Sequence, residues 1–366
     1  MGDPGESFPS PVAFITIAAS YNPVDADFKA DDAANANDVT VTFGDIMEVS
    51  LEPSFSVTSN TAFFVKAAYS EFTADAKGTG LDNSQAFDIT GVQRSLSVAV
   101  RHSAVRSRFE NLQANVGLYK SNSLVKRALV EISEDHLAYL GAGLNYDRID
   151  TEWNGIDVAM IGTKYGLGGH FGGMDADLVT ARGTPPSRRS SNGTGRFASN
   201  AFWMMEGSYT LLQNIEHDMD ILFRVQGQWS NSLLTSTNQL KLGGPNSVRA
   251  YPVSEFLRDS GLFASMEWFW KAPGFSDADA FDNYKWGELL KVSFFADYGM
   301  GTLNQALTNP QQGVFQNIDI AGYGAAVHFE VPGQMLARLQ ASHPLSGVSP
   351  TDKRSTHWWF DVRYTF

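Results

Sequence analysis

Apolar and polar residues alternate along most of this chain, and the pattern is clearest at its C-terminal end, residues 357–366. There the odd positions carry Trp359, Asp361, Arg363 and Thr365, while every even position is large and apolar. A period of two predicts a β-strand, and an aromatic face opposite a charged face is typical of a strand with a lipid side and a wet side. The apolar face consists of Trp358, Phe360, Val362, Tyr364 and Phe366.

The same alternation recurs throughout the chain and fits these segments better than a helical spacing of three and four residues does. It predicts an essentially all-β chain with about fourteen readable strands. We place them at 11–21, 38–58, 61–74, 88–103, 109–120, 136–149, 155–167, 200–212, 219–231, 261–271, 288–301, 317–331, 334–343 and 357–366.

The connections between these strands alternate between tight and long. Tight connections occur at 58–60, 213–218 and 331–334. The long ones are rich in Gly, Ser, Asn and Pro and lie at 75–87, 182–199, 231–260, 302–316 and 344–356, with a mobile loop expected at 182–196. Short turns on one side and long loops on the other predict an antiparallel transmembrane β-barrel. The segment 272–287 departs from this rule, because it is long although it falls on the side of the short turns.

Composition narrows the alternatives. The net charge of −13, from 27 Lys+Arg against 40 Asp+Glu, argues against a nucleic-acid partner. The absence of cysteine excludes disulfide scaffolds, thiol enzymes, zinc ribbons and iron–sulfur sites. No apolar run is long enough for a transmembrane helix. The apolar fraction of 43% therefore fits an outer coat that faces lipid better than a central core.

Candidate catalytic and metal sites are weak. The glycine-rich segment Gly162–Gly173 lacks the Lys-Ser/Thr pair and the following helix of a phosphate loop, so we expect a strand-end loop. The acidic segment Ser276–Asn283 lacks the glycine and distal glutamate of a calcium loop. Glu206 and Asp297 are carboxylates on wet faces, as many barrels have. We expect no enzyme, no cofactor and no metal, although a dispersed catalytic triad stays open.

Two motifs carry a resemblance to a known family. The segment Leu242–Tyr251, followed by Arg258–Glu267, resembles the sixth extracellular loop and next strand of two-partner secretion transporters, the TpsB or haemolysin-activator type of the outer-membrane insertase superfamily. In that family the loop folds back into the barrel and carries a Val-Arg-Gly-Tyr/Phe tip, here Val248, Arg249, Ala250 and Tyr251. The resemblance covers about residues 90–366 and is strongest over 240–300.

The resemblance implies a latch inside the barrel. The tip arginine, Arg249, would pair with the aspartate of a Phe-x-Asp-x-Gly motif one strand later, here Phe295, Asp297 and Gly299. Glu267 matches a glutamate of the intervening strand. Alternation independently places Asp297 and Glu267 on wet faces. An alternative is a purely structural pair, which would contribute about 1 kcal/mol or less if water reached it.

The chain also departs from the family pattern. Ala250 replaces the tip glycine, so a positive φ at that position would be strained. The family barrel has sixteen strands, and its plug helix and two periplasmic POTRA domains have no counterpart in these residues. We expect one barrel domain over 1–366. Since no signal peptide is visible at the N-terminus, we expect a processed or truncated chain, or a reduced relative of the family.

The function that this resemblance implies is an outer-membrane pore of a Gram-negative bacterium, through which an unfolded secreted partner protein reaches the cell surface. The expected partners are outer-membrane lipid or lipopolysaccharide, that exoprotein client, and the barrel assembly machinery. The assembly machinery would read the C-terminal signature of Trp358, Phe360, Tyr364 and Phe366. The alternatives are a passive diffusion porin or structural barrel without periplasmic domains and, more remotely, a hydrolase built on a barrel.

Overall fold

A computed structural model describes residues 13–22, 26–29, 38–79, 87–127, 130–174, 198–216, 218–304 and 315–364. The mobile loop expected at 182–196 and the C-terminal Phe366 lie outside these described residues.

Fourteen strands form one continuous antiparallel sheet in which each strand pairs with the next along the chain. A short strand, β2, also pairs with β3, and β11 and β12 form a separate two-stranded hairpin. The bounds are β1 Ala13–Asn22, β2 Ala26–Lys29, β3 Asp38–Ser56, β4 Thr61–Thr79, β5 Phe87–Arg106, β6 Glu110–Arg127, β7 Val130–Asp150, β8 Gly155–Gly166, β9 Trp203–Glu216, β10 Met219–Ser230, β11 Leu240–Leu242, β12 Phe256–Arg258, β13 Ser260–Lys271, β14 Leu290–Thr302, β15 Asn317–Val331, β16 Met335–Gly347 and β17 His357–Tyr364.

The all-β prediction is confirmed, with each of the fourteen predicted strands matched by one in the sheet. The main difference lies between β6 and β7, because the predicted strands stop at 120 and resume at 136, whereas β6 runs to Arg127 and β7 begins at Val130. Residues 121–123 are Ser-Asn-Ser and show no apolar face, yet their backbones still pair with β7. Backbone pairing therefore continues beyond the point where side-chain alternation stops.

The two faces of the sheet differ as the alternation predicts. On β13 the outward side chains Met266, Trp268 and Trp270 are exposed, whereas Ser265 and Glu267 on the inward face are buried. Large exposed apolar residues occur on the outward face of β3 to β10 and of β13 to β17, where side chains are described. Such a surface requires lipid around it, and the fold is that of an antiparallel transmembrane β-barrel. None of the helices in the described ranges has the length and hydropathy of a membrane span.

The long turn at 272–289 has an ordered structure of its own. Asp279 and Lys285 form an isolated β-bridge, and a single helical turn, α1 Trp286–Leu289, leads into β14. The rings of Phe275 and Trp286 lie 6.0 Å apart, edge to face. This segment is therefore a small hairpin with its own aromatic contact, which explains why it is longer than the other turns at this end of the barrel.

Residues 231–260, called loop 6 from here on, pack against the inner face of the sheet. The β11–β12 hairpin forms the stem of loop 6, and the tip lies between these two strands. Together with β13 and β15, the loop encloses the larger of two buried apolar clusters. That cluster consists of Leu240, Leu242, Val248, Ala250, Tyr251, Phe256, Phe263, Ile318 and Ile320. The largest core of the described residues thus lies between loop 6 and the wall.

Candidate functional site

The tip of loop 6 is formed by turns that place glycine where the backbone needs it. Gly243 and Gly244 have φ values of 107° and 98°, which only glycine adopts easily. The N–H of Gly244 donates to the carbonyl of Tyr251 at 2.9 Å and closes the tip. Ala250 is not among the positive-φ residues of the described chain, so the strain expected from alanine at the family's glycine position does not arise.

Arg249 bonds to Asp297 through both its backbone and its side chain. The Arg249 N–H donates to Asp297 Oδ2 at 3.0 Å, and the guanidinium Nε donates to the same oxygen at 2.8 Å. Nη2 donates to Oδ1 at 2.8 Å, which completes a bidentate pair. Arg249 is only 1% exposed and Asp297 3% exposed. The pair is therefore buried, and the small energy of a water-exposed ion pair does not apply to it.

The remaining guanidinium donors also have acceptors. Nη1 donates to Glu267 Oε2 at 2.6 Å and to Gln340 Oε1 at 3.4 Å, and Nη2 donates to Ser265 Oγ at 3.1 Å. A guanidinium has five N–H donors, and these contacts use all of them. The guanidinium carbon also lies 3.3 Å from the centroid of the Phe295 ring. Three of the predicted residues, Glu267, Phe295 and Asp297, thus surround the tip arginine.

The carbonyl of Arg249 accepts hydrogen bonds from the last two strands of the sheet. Ser342 Oγ donates to it at 2.6 Å from β16, and Trp359 Nε1 donates at 2.8 Å from β17. The sequence analysis did not assign Ser342, Trp359 or Gln340 to the site. Their one sequence signal is position, because each occupies the inward-facing register of its strand. The arginine therefore contacts β13, β14, β16 and β17 together.

Glu267 is tied to a second set of neighbours behind the arginine. Ser293 Oγ donates to Glu267 Oε1 at 2.6 Å, and His328 Nε2 lies 3.5 Å from the same oxygen. Ser293 and His328 are themselves 3.0 Å apart. The carboxylate oxygen Oε1, which does not bond to the arginine, is therefore held by Ser293 and His328. Neither Ser293 nor His328 was singled out by sequence, because an inward serine or histidine is common in a wet lumen.

The other two predicted tip residues are buried beside the arginine. Val248 packs in the apolar cluster, and the Tyr251 hydroxyl donates to the carbonyl of Ser346 at 3.2 Å. Burial raises the pKa of Tyr251 to about 12, so its hydroxyl stays protonated at neutral pH. The tip is thus also linked to the C-terminal end of β16.

A second anchor, which the sequence analysis missed, lies at the base of loop 6. The buried Asp259 carboxylate accepts hydrogen bonds from the backbone N–H of Leu234 at 3.0 Å and of Asn304 at 2.9 Å. The Asn304 side chain in turn donates to the carbonyls of Ser230 and Ser232 at 2.7 and 2.8 Å. This anchor ties both ends of loop 6 to the end of β14.

A cavity lies on the other side of the tip from Asp297. A cavity of about 460 Å³ separates the tip residues 245–247 from the wall formed by β8, β9 and β10. Its wall side is polar and includes Gln226, Gln228 and an ion pair between Lys164 and Glu206, with Nζ 3.0 Å from Oε1. On this side the base of loop 6 is bonded to β10, because Gln228 Nε2 donates to the carbonyls of Asn238 at 2.9 Å and Asp259 at 3.0 Å, and the cavity lies beside the tip.

The remaining predicted positions lie outside the hydrogen bonds of Arg249. Gly299 lies under the tip on β14, and Gly162–Gly173 runs from the end of β8 into a short turn, as expected of a strand-end loop. At the C-terminus Trp358, Phe360 and Tyr364 are exposed on the outward face, at 66%, 73% and 56%. The fourth residue of that signature, Phe366, lies outside the described residues.

Comparison with known proteins adds a family match. Residues 59–329 match the family model of the haemolysin secretion/activation protein ShlB/FhaC/HecB. Among curated proteins, the heme/hemopexin transporter protein HuxB of Haemophilus influenzae is 22% identical over 311 residues, which cover 84% of this chain and 49% of HuxB. The chain thus spans about half the length of the curated relative it matches.

Solved structures support the fold. CdiB from Escherichia coli aligns with a TM-score of 0.62 and 16% identity, covering 95% of this chain and 59% of CdiB. BamA from Haemophilus ducreyi, in a form lacking POTRA domains 1–3, aligns with a TM-score of 0.55 and 11% identity, covering 97% of this chain and 71% of that one. At these identities the likeness concerns the fold alone.

Proposed function

Because the chain belongs to the haemolysin secretion/activation protein family (ShlB/FhaC/HecB), we propose that it forms the outer-membrane pore of a two-partner secretion system. The protein lies in the outer membrane. In this proposal an unfolded secreted protein passes through the barrel lumen to the cell surface. Loop 6 closes the lumen at rest, and the contacts of Arg249 with Asp297 and Glu267 act as its latch.

The observation that carries the proposal is the complete bonding of a buried arginine at the tip of a loop. Removing one partner of a buried ion pair typically costs about 3–5 kcal/mol, because the other charge is left without compensation. The resting position of loop 6 is therefore well defined. The lumen beside it is wet, so water can solvate both carboxylates once the tip leaves. Such a contact can hold a loop firmly and still allow it to be released.

The open side of the lumen offers a route for the client. The wall of the cavity presents the amide of Gln226 beside the Lys164–Glu206 pair, whereas Gln228 Nε2 already donates to loop 6 carbonyls. An unfolded chain carries unpaired backbone N–H and C=O groups, and amide side chains can exchange hydrogen bonds with them without holding any one sequence. We place the first contacts of the client in this cavity, from which release of loop 6 would widen the passage.

The test is secretion of the partner protein by cells that carry the full-length transporter. Arg249→Ala, compared with the wild type at equal amounts of folded barrel, is expected to change the secreted yield and the leakage of small solutes together. The control is Arg148→Ala, which removes an arginine paired with Asp150 and Asp157 at a site that is 45% exposed.

Two results would contradict the proposal. Unchanged secretion and leakage in Arg249→Ala would remove the latch. A wild-type protein that passes small solutes but exports no protein partner would instead establish a diffusion porin.

A further inference from the structure

The tip of loop 6 lies on glycine positions of the barrel wall. A Cβ atom added at Gly299 on β14 would lie 2.8 Å from Cγ2 of Val248. A Cβ atom added at Gly322 on β15 would overlap the Cβ of Ala250. The two residues that flank Arg249 in sequence therefore each rest on a glycine. The wall has no room for a side chain at either position while the loop is docked.

The strand register explains why this matters for the latch. Gly322 pairs directly with Asp297 across β14 and β15, and Gly299 is two residues beyond Asp297 on the same face. The Arg249 N–H reaches the Asp297 carboxylate at 3.0 Å, which requires the loop backbone itself to approach the wall closely. Two glycines beside the aspartate permit that approach. A methyl group at either one would lift the tip away from the carboxylate.

We propose that Gly322 is a positioning residue of the latch, and that it forms with Gly299 a two-glycine seat that receives Ala250 and Val248. This inference rests on the proposed function of loop 6 as a closing element. It also accounts for the alanine at the tip, because the methyl group that this chain carries at position 250 fills the space left by the missing side chain of Gly322. The alanine at position 250 of the loop and the glycine at position 322 of the wall thus fit together.

A competing account is that Gly322 serves the sheet alone. The register between β15 and β16 shifts between Ala321 and Gly322, and glycine is common at such irregularities. The two accounts differ in whether a change in the loop can reverse the effect of Gly322→Ala. If the seat sets the position of the tip, shortening Ala250 removes the shorter of the two tight contacts of a methyl group at position 322 and leaves the one of 3.2 Å with the carbonyl oxygen of His343. If glycine is needed only for the strand irregularity, no change in the loop has that effect.

The test is single-channel recording in planar bilayers with the full-length protein, using KCl as the permeant probe. Gly322→Ala is expected to raise the open-state occupancy by about tenfold, the effect of about 1.4 kcal/mol, within the usual range for overpacking. The double variant Gly322→Ala/Ala250→Gly is expected to return to within about twofold of the wild type. The control is Gly162→Ala on β8, where the nearest atom to an added Cβ is 3.5 Å away, and no change is expected.

Each outcome decides the matter. Two results would overturn the seat. One is an open-state occupancy of Gly322→Ala equal to that of the wild type. The other is a raised occupancy that the added change Ala250→Gly does not reverse. If Gly322→Ala does not fold, Ala250→Val enlarges the same contact from the loop side, and wild-type closure of that variant overturns the seat equally. Arg249→Ala is recorded in parallel. If it opens while the seat variants stay closed, the latch stands and the seat fails; if it stays closed, the latch itself fails.

Discussion

The carboxylate of Asp297 accepts one hydrogen bond from the backbone N–H of Arg249 and two from its guanidinium. A bond to the backbone fixes the chain itself, whereas a side chain alone leaves the loop free to shift around it. The pair thus sets both the distance and the orientation of the loop tip. If loop 6 closes the pore as proposed, closure is expected to require the geometry of the cation as well as its charge.

Arg249→Lys is expected to keep the charge but weaken closure. A lysine ammonium lacks the planar fork that bonds both oxygens of Asp297, and it has three donors where arginine has five. Losing one charge-assisted hydrogen bond costs about 1.5–3 kcal/mol, which corresponds to a rise in open-state occupancy of roughly ten- to a hundredfold. Single-channel recording measures this occupancy. Arg148→Lys, at a half-exposed pair, is the matched control, and equal behaviour of the two variants would refute the geometric requirement.

Acidification is expected to favour the closed state through Glu255. Burial raises the pKa of Glu255 above its ordinary value, and nearby Asp352 raises it further, while the Thr351 N–H at 2.7 Å and His357 oppose the shift. The docked loop therefore binds the proton more tightly than the released loop. This contribution to docking is fully present below the ordinary glutamate pKa and is lost as pH rises through the raised value.

Open-state occupancy measured between pH 4 and 8 is accordingly expected to fall toward the acid end. Glu255→Gln mimics the protonated form, so it should close as tightly at pH 8 as the wild type does near pH 4. The glutamine variant isolates the contribution of Glu255 from that of the neighbouring His357–Asp352 pair, whose Nε2 and Oδ2 lie 3.0 Å apart. A Glu255→Gln protein that keeps the full pH response would assign that response elsewhere.

The Lys164–Glu206 pair is expected to influence the ion selectivity of the open pore. Both side chains are partly exposed beside the open cavity, so their charges act on ions that pass there. Glu206→Gln should shift the reversal potential in a KCl gradient toward anion selectivity, and Lys164→Gln toward cation selectivity. Both shifts should shrink near 1 M salt, where the screening length is about 3 Å. Asp277→Asn, in the turn outside the lumen, serves as the control; equal shifts in all three variants would contradict the cavity as the ion path.

A charge on the outward face of β17 is expected to destabilise the barrel. Phe360 lies near the middle of the strand and is 73% exposed, a position that lipid covers in the membrane. An arginine at the bilayer midplane of a barrel costs about 2–4 kcal/mol. Denaturant titration of Phe360→Arg in lipid vesicles measures this loss. Arg363→Ala, on the other face of the same strand, should stay within about 0.5 kcal/mol of the wild type. An unchanged free energy of unfolding in Phe360→Arg would mean that lipid does not cover this face.

The strands were predictable because a sheet between lipid and water imposes its period directly on the sequence. Trp358 and Phe360 could be assigned to the outer face from parity alone, and the structure agrees. The pairing of Arg249 with Asp297 was suggested by a family resemblance, since no local rule relates residues 48 positions apart. Alternation added that Asp297 faces inward.

The rest of the site depends on curvature and close approach, which leave little trace in sequence. Ser342 and Trp359 reach the carbonyl of Arg249 because the sheet curves around loop 6, and nothing in their neighbourhood indicates that contact. The role of Gly322 depends on the absence of a side chain, which reads as an ordinary strand glycine. Likewise, the hairpin at 272–289 is longer than the short turns expected at its end of the barrel. Its length is explained by its β-bridge and its ring contact, which the sequence does not indicate.

The most direct test of the central claim is a double-mutant cycle on the latch, read as single-channel open-state occupancy of the full-length protein. Arg249→Ala and Asp297→Ala are each expected to open the pore. The open-state occupancy of the double variant is expected to be no higher than that of the more open single variant, because all three variants lack the same Arg249–Asp297 contact. Wild-type occupancy in both single variants, with the barrel folded, would contradict the latch.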